Sequence, residues 1–248
     1  FWTLPLRLFG ARANSYSFIT QRLKQEVERE FDLGIATYCI WQSGVNTQLF
    51  RPTDPAVKDL AAPLLFYHGS LSRNRGVDSV IQALAHRSTL SKVPFTILGE
   101  GPDKPRLEQL SKQLGVSERI NFLGFQPYEA VVDQINQAQL CVCPLPDRLE
   151  WQVSSPLKVM EYLACAKPVV LTPLDAHTEL AKDLASVVWA AGFHSEHIGE
   201  AIEEAIRRLP ALEQFAPAGR EYVRDHYEWR EQADKLSTHL RQCHKVLN

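Results

Sequence analysis

The chain has 248 residues, 45% of them apolar and 23% charged, with a formal net charge of −2. That length suits one large domain or two small ones and can bury a sizeable core, and the composition is ordinary for a soluble globular protein. The near-neutral charge gives no long-range attraction to nucleic acid, and no apolar run approaches the roughly 18 residues that span a bilayer.

The opening Phe1-Trp2-Thr3-Leu4-Pro5-Leu6 is apolar but lacks the basic start and long apolar run of a secretion signal. It reads as the edge of an incomplete chain rather than as an interfacial anchor. Residues 15–30 predict a helix, with Phe18, Leu23 and Val27 apolar among charges. A short apolar run, 34–41, is followed by the turn-rich Ser43-Gly44-Val45-Asn46 and by Pro52-Thr53-Asp54-Pro55, which reads as a linker.

From residue 64 onward, short apolar runs alternate with helical patterns. The runs are Leu64-Leu65-Phe66-Tyr67, Phe95-Thr96-Ile97-Leu98, Ile120-Asn121-Phe122-Leu123, Leu140-Cys141-Val142-Cys143, Pro168-Val169-Val170-Leu171 and Ser186-Val187-Val188-Trp189. Helical patterns fall near 76–86, 103–114, 127–138, 157–165, 176–184 and 195–208. This alternation implies right-handed crossovers and a parallel sheet covered on both faces. Several runs are apolar without alternation, as doubly buried strands should be. The fold class is therefore α/β, with a doubly wound, Rossmann-like parallel sheet. The tail predicts two helices, 218–226 and 229–245, meeting at His226-Tyr227-Glu228-Trp229.

Three segments carry candidate chemistry. Tyr67-His68-Gly69-Ser70-Leu71-Ser72-Arg73-Asn74-Arg75-Gly76 joins a strand to a helix. Its glycines let backbone approach a ligand, and N–H groups with a guanidinium at a helix start suit a diphosphate. The alternative is a plain strand–helix loop with solvated arginines. Leu98-Gly99-Glu100-Gly101-Pro102-Asp103-Lys104 begins like the dinucleotide fingerprint, but Lys104 replaces its third glycine and the segment follows the second strand. Its glycines can equally serve a tight turn, with Asp103 as a helix cap. In Ser154-Ser155-Pro156-Leu157-Lys158-Val159-Met160-Glu161-Tyr162-Leu163, serine before proline marks a helix start at the ligand-binding edge of the sheet. Lys158 and Glu161 share a helix face, and a carboxylate there can accept a pair of sugar hydroxyls. The alternative for Glu161 is an exposed helix carboxylate.

The five cysteines fit no zinc spacing and read as small core residues in a reducing compartment; Cys141 and Cys143 would share a strand face. The histidines form no metal pattern, and the hydrolase motif G-x-S-x-G is absent.

Taken in order, these segments resemble the retaining glycosyltransferases of family four, which have the two-domain GT-B fold. Ser43-Gly44-Val45-Asn46 with Phe50-Arg51-Pro52 resembles the interdomain segment, and Phe66 to Gly76 the first donor loop. Ile97 to Pro102 and Phe122-Leu123-Gly124-Phe125 resemble the next two strand ends. Ser155-Pro156-Leu157-Lys158, Glu161-Tyr162 and Lys167-Pro168-Val169-Val170 resemble the signature of one branch, and Tyr227-Glu228-Trp229 the start of the closing helix.

By that resemblance Glu161 holds the donor's ribose hydroxyls and Arg75 takes the place of the usual lysine on the diphosphate. Ser154, Ser155, Pro156, Leu157 and Lys158 lie along the diphosphate and sugar. Gly69, Ser70, Arg73 and Gly101 belong to the same site, and Phe125 and Gln126 border the base. The implied ligand is a UDP- or GDP-linked sugar, with no cofactor and no metal, because cationic side chains and helix N-termini stabilise the departing diphosphate. Two positions depart from the family. Val153 stands where many members carry a second glutamate, with Glu150 nearby, and Ser70 stands where many carry arginine, with Arg73 as a substitute.

The resemblance divides the chain into a remnant of the acceptor domain and start of the linker (1–50), the linker (51–63), the nucleotide-sugar domain (64–215) and C-terminal helices packing back toward the first domain (216–248). The expected protein is the donor half of a cytoplasmic hexosyltransferase, peripheral at the membrane where its carbohydrate or lipid-linked acceptor is membrane-bound. No catalytic base is identified. Two other readings stay open: a non-catalytic nucleotide-sugar-binding module whose acceptor site comes from a partner domain or subunit, and an NAD-dependent oxidoreductase, which Lys104 disfavours.

Overall fold

A computed structural model of the chain describes residues 10–53 and 63–247. The opening hexapeptide and most of the expected 51–63 linker lie outside the described residues.

The first unit is small. Strands β1 (Tyr16–Phe18) and β2 (Tyr38–Ile40) pair in parallel and are joined by helix α1 (Gln21–Phe31). This corrects the single helix predicted over 15–30. Tyr16 and Phe18 pair with Tyr38 and Ile40, which holds the chain extended. Thr20, at φ −147° and ψ 154°, then accepts the Leu23 N–H and starts the helix.

The main sheet has six parallel strands: β3 (Leu65–His68), β4 (Phe95–Leu98), β5 (Ile120–Gly124), β6 (Leu140–Cys143), β7 (Val169–Leu171) and β8 (Val187–Trp189). Their spatial order is β5-β4-β3-β6-β7-β8. Every strand falls on a run read from the sequence. The inner strands β4, β6 and β7 are buried at every residue, while the outermost strand β5 exposes Asn121, which accounts for the unbroken apolar runs. From β3 the chain steps outward to β5, then returns to the other side of β3. The crevice beyond the carboxyl ends of β3 and β6 is therefore the topological switch point, where open α/β sheets bind ligands.

Helices α2 (Val77–His86), α3 (Lys104–Gln113), α4 (Tyr128–Gln137), α5 (Leu149–Gln152), α6 (Leu157–Ala164), α7 (Asp175–Ala181) and α8 (Ser195–Arg207) lie between or after these strands. The short α5 is absent from the sequence reading. Helices α9 (Leu209–Tyr227) and α10 (Trp229–Leu247) follow. The predicted 218–226 helix is thus the second half of a longer one that continues through Pro217, and the division at 215/216 falls inside it. Leu209, Leu212, Ala216, Gly219, Val223 and Tyr227 are buried at helical spacing, so packing offsets the hydrogen bond that proline cannot make.

Two apolar clusters cover the two faces of the sheet. Leu65 and Tyr67 face one with Leu140 and Val142; Phe66 faces the other with Cys141 and Cys143. The two cysteines share a face as expected, and Cys165 is buried nearby. Cys39 and Cys243 are only partly buried, which corrects their reading as core residues.

His177 is fully buried on α7. Nδ1 lies 2.8 Å from the Thr172 carbonyl and Nε2 lies 3.5 Å from Cys143 Sγ. Burial lowers its pKa to about 4. The unfolded chain therefore takes up this proton first as pH falls below about 6.5, while the folded state resists it. Stability attributable to this position is full above pH 6.5 and drains away toward pH 4, by about 3 kcal/mol in all. Urea midpoints of the parent and His177→Gln, compared at pH 7 and pH 4.5, should converge in acid; equal pH dependence in both would count against it.

Candidate functional site

The carboxyl ends of β3, β4 and β5 and the start of α6 supply the candidate residues. Glu161 lies one turn into α6 and is 2% exposed, so the alternative of an exposed helix carboxylate is excluded. Its Oε1 accepts the Tyr128 hydroxyl at 2.8 Å, and its Oε2 lies 3.1 Å from His68 Nε2. That His68 nitrogen is buried but not aligned to donate to the carboxylate or to any other group. The His68 backbone N–H donates to the Tyr162 hydroxyl at 3.0 Å, which fixes the end of β3 against α6. Burial pushes the Tyr128 hydroxyl pKa well up, and the Glu161 charge adds to this, so Tyr128 stays a donor at neutral pH. No lysine or arginine pairs with Glu161 among the described residues.

Lys158, one turn earlier, reaches back to β3. Its Nζ lies 3.2 Å from the Tyr67 hydroxyl and 4.3 Å above that ring. Gly69, at φ +136°, makes room for it, since a Cβ there would stand 2.9 Å from Nζ. Arg75 lies over the Trp151 ring at 4.2 Å, and its Nε is buried with no hydrogen-bond partner. Trp151 donates to the Asn74 carbonyl at 2.7 Å, tying α5 to the first loop. Glu150 also reaches this loop, accepting from the Asn74 amide at 3.3 Å.

The other expected residues are more dispersed. Ser70 is exposed, and Arg73 points outward, 83% exposed and 3.7 Å from Asp103. Gly101 lies against the first loop, where a Cβ would come 2.1 Å from the Leu71 carbonyl oxygen. Its glycine requirement is thus met by backbone packing alone. Phe125 is 81% exposed beyond β5, and the Gln126 side chain donates to the Leu123 carbonyl. A register shift between β4 and β5 sets Leu98 opposite Gly124, turning this strand end.

One local expectation is corrected. Asp103 does not cap α3; its carboxylate accepts from Arg106 at 2.7 and 2.6 Å. Guanidinium pairing outcompetes a neutral N–H. Helix α6 starts directly after the serine–proline step, as expected, with the two serines bonded elsewhere: Ser154 Oγ donates to the Trp151 carbonyl, and Ser155 Oγ accepts the Ser43 N–H at 3.0 Å. Pro156 is buried at the cap position and Leu157, the first helical residue, is 40% exposed.

The sequence reading missed His68 and Tyr128 as partners of Glu161. His68 stands directly before Gly69 in the segment already singled out, and that adjacency was the available signal. Tyr128 opens α4 two residues after Gln126, but no local spacing pairs its hydroxyl with Glu161, which lies on a different crossover.

A six-stranded doubly wound sheet with a buried carboxylate and cationic side chains at its switch point defines an open α/β protein of the Rossmann-like class. The glycosyl transferases group 1 family matches residues 53–222, well over half of the chain, and the chain belongs to that family. It is 26% identical over 145 residues to the alpha-D-kanosaminyltransferase of Streptomyces kanamyceticus, which covers 58% of this chain and 36% of that protein. It is 23% identical over 242 residues to the GDP-mannose-dependent alpha-(1-6)-phosphatidylinositol monomannoside mannosyltransferase of Mycolicibacterium smegmatis, covering 94% of this chain and 63% of that one. The chain thus spans less than two thirds of the length of these relatives. HepE of Anabaena, solved with UDP and glucose, shares the fold with a TM-score of 0.79 over 97% of this chain and 67% of its own, at 16% identity. The fold is the Rossmann-like half of a GT-B protein. Among the described residues no helix is long and apolar enough to cross a membrane, and no group of His, Cys, Asp and Glu could hold a metal ion.

Proposed function

We propose that this chain is the donor half of a retaining, family-four hexosyltransferase that takes a sugar from UDP or GDP to a carbohydrate or lipid-linked acceptor. The observation that carries this reading is Glu161, a carboxylate buried at the switch point with no lysine or arginine partner among the described residues. A group so costly to bury is explained by a ligand whose hydroxyls it accepts. In this reading the ribose takes that place. Lys158, Arg75 and the start of α6 hold the diphosphate and stabilise it as the sugar–oxygen bond breaks. Phe125 offers an exposed ring to the base, and Glu150, beside the Arg75 loop, stands near the sugar in place of the glutamate that Val153 replaces. Catalysis then rests on positioning and on leaving-group stabilisation, and no metal is required.

A groove between Trp41 and α10, lined by Trp229, Ala233, Leu236 and Leu240, presents an apolar surface of the kind another protein surface covers. It favours a second reading, in which a separate domain or subunit supplies the acceptor site.

Calorimetric titration with UDP and with GDP tests the proposal. One nucleotide should bind the parent chain, and both Glu161→Ala and Arg75→Ala should weaken it. If a folded chain binds neither nucleotide, either alone or joined to a complete acceptor domain, the reading fails.

Tyr128 gives a prediction of opposite sign. Its hydroxyl occupies the Glu161 oxygen that a ribose would use, so ligand entry must break that bond. Tyr128→Phe should tighten nucleotide binding by about tenfold or more, the worth of one hydrogen bond to a charged acceptor, since the ring contacts are kept. Weaker binding in Tyr128→Phe would show instead that the hydroxyl contacts the ligand.

A further inference from the structure

A cavity of about 660 Å³ lies away from the switch point, between the Asn46–Arg51 segment and the junction of α9 with α10. Arg51, Arg220, Arg224 and Arg230 line it, with Glu228 as its carboxylate. Glu228 is already engaged, accepting the Thr47 N–H at 3.2 Å and the Thr47 hydroxyl at 2.6 Å. Arg224 pairs with Asp225 at 2.9 Å at the exposed surface, and Arg51 and Arg230 have no carboxylate partner among the described residues. Arg220 is held rigidly by carbonyls rather than by acids. It donates to Phe50 at 2.8 Å, to Thr47 at 3.0 Å and to Ala164. Four cations therefore converge on one hollow with a single, occupied carboxylate, in a chain whose net charge is −2.

Such an arrangement leaves positive charge that an anion would offset. Burial lowers the Arg220 pKa, and Arg224 and Arg51 act in the same direction while Glu228 opposes them. A guanidinium fixed by carbonyls keeps its charge directed at the hollow, and exposed arginines at the rim can close on a planar or tetrahedral oxyanion. The volume exceeds that of a single water-sized void many times over and admits a multiply charged group.

We propose that this hollow is a second ligand site, binding a phosphate-bearing anion through Arg51, Arg220, Arg224 and Arg230, distinct from the edge where Glu161 lies. The ligand chemistry is a phosphate or diphosphate, supplied either free in solution or by a lipid headgroup. The site does not depend on the nucleotide reading, because Glu161 and Lys158 contribute nothing to it.

The test uses the Arg75→Ala chain, so that the switch-point edge contributes little. Inorganic pyrophosphate is titrated by calorimetry, and flotation is measured with phosphatidylcholine vesicles with and without phosphatidic acid. The comparison is the same chain carrying Arg224→Gln and Arg230→Gln. Both arginines are exposed, so folding is expected to be kept, and an unchanged thermal midpoint checks it. Saturable one-to-one pyrophosphate binding, weakened about tenfold or more by the paired substitution, supports the site with a soluble ligand. Flotation with phosphatidic acid alone, lost in the paired variant, supports it with a headgroup ligand. Arg224→Lys with Arg230→Lys should retain most of either signal. Absence of both signals, or signals equal in parent and paired variant, overturns the proposal.

Discussion

Glu161→Ala is expected to weaken nucleoside diphosphate binding by about 2–4 kcal/mol, roughly 30- to 1000-fold, the largest loss of any substitution at the site. The magnitude follows from the two ribose hydroxyl contacts proposed for one buried charge. The same carboxylate is costly in the free protein. It is 2% exposed, its partners are the Tyr128 hydroxyl and an unaligned His68 nitrogen, and no guanidinium or ammonium compensates it among the described residues. Glu161→Gln, which keeps the shape and can still accept from Tyr128, should therefore leave the urea midpoint unchanged or raise it while binding falls. That pairing of lost binding with kept stability separates a ligand-holding role from a structural one. Destabilisation of Glu161→Gln by more than about 2 kcal/mol with binding intact would assign Glu161 to the scaffold instead.

Arg220→Met should have the largest effect on stability. One guanidinium satisfies the carbonyls of Thr47, Phe50 and Ala164, so it joins the segment after β2, the end of α6 and the middle of α9. Methionine fills much of the same volume but leaves three acceptors without a donor. At about 1–3 kcal/mol for each acceptor left unmet, and with partial hydration offsetting some of that, the loss should be about 3–5 kcal/mol. That is a large share of the roughly 5–15 kcal/mol that holds a domain folded. Arg220→Lys should recover only part, since one ammonium cannot span acceptors on three elements. Urea unfolding at pH 7 measures both variants; a loss below about 1 kcal/mol in Arg220→Met would mean that water replaces the guanidinium at all three carbonyls.

The architecture was legible because its signal is local. Leu140-Cys141-Val142-Cys143 is apolar at every position, as a strand buried on both faces requires, and the structure divides its residues between the two clusters. The glycine-bearing strand ends and the serine–proline step marked the switch-point edge for the same reason. Local grammar failed where a distant partner competed. Asp103 stands where a cap belongs, yet Arg106 takes its carboxylate; Ser155 stands before a helix, yet Ser43 claims its hydroxyl. Thr20 caps α1 inside a stretch that reads as continuous helix, because Phe18 fits a helical pattern as well as it fits a strand.

By itself, then, the sequence determined the six-stranded α/β layout and the residue types at the carboxyl edge of its sheet, since burial periodicity and turn chemistry are written in neighbouring residues. Only the tertiary structure decided that Glu161 is buried, that Tyr128 and His68 are its partners, and that Arg51, Arg220, Arg224 and Arg230 face one hollow. Those facts depend on crossovers bringing far-separated side chains within hydrogen-bond reach, and the strength of such contacts is set by burial and distance, neither of which sequence spacing specifies.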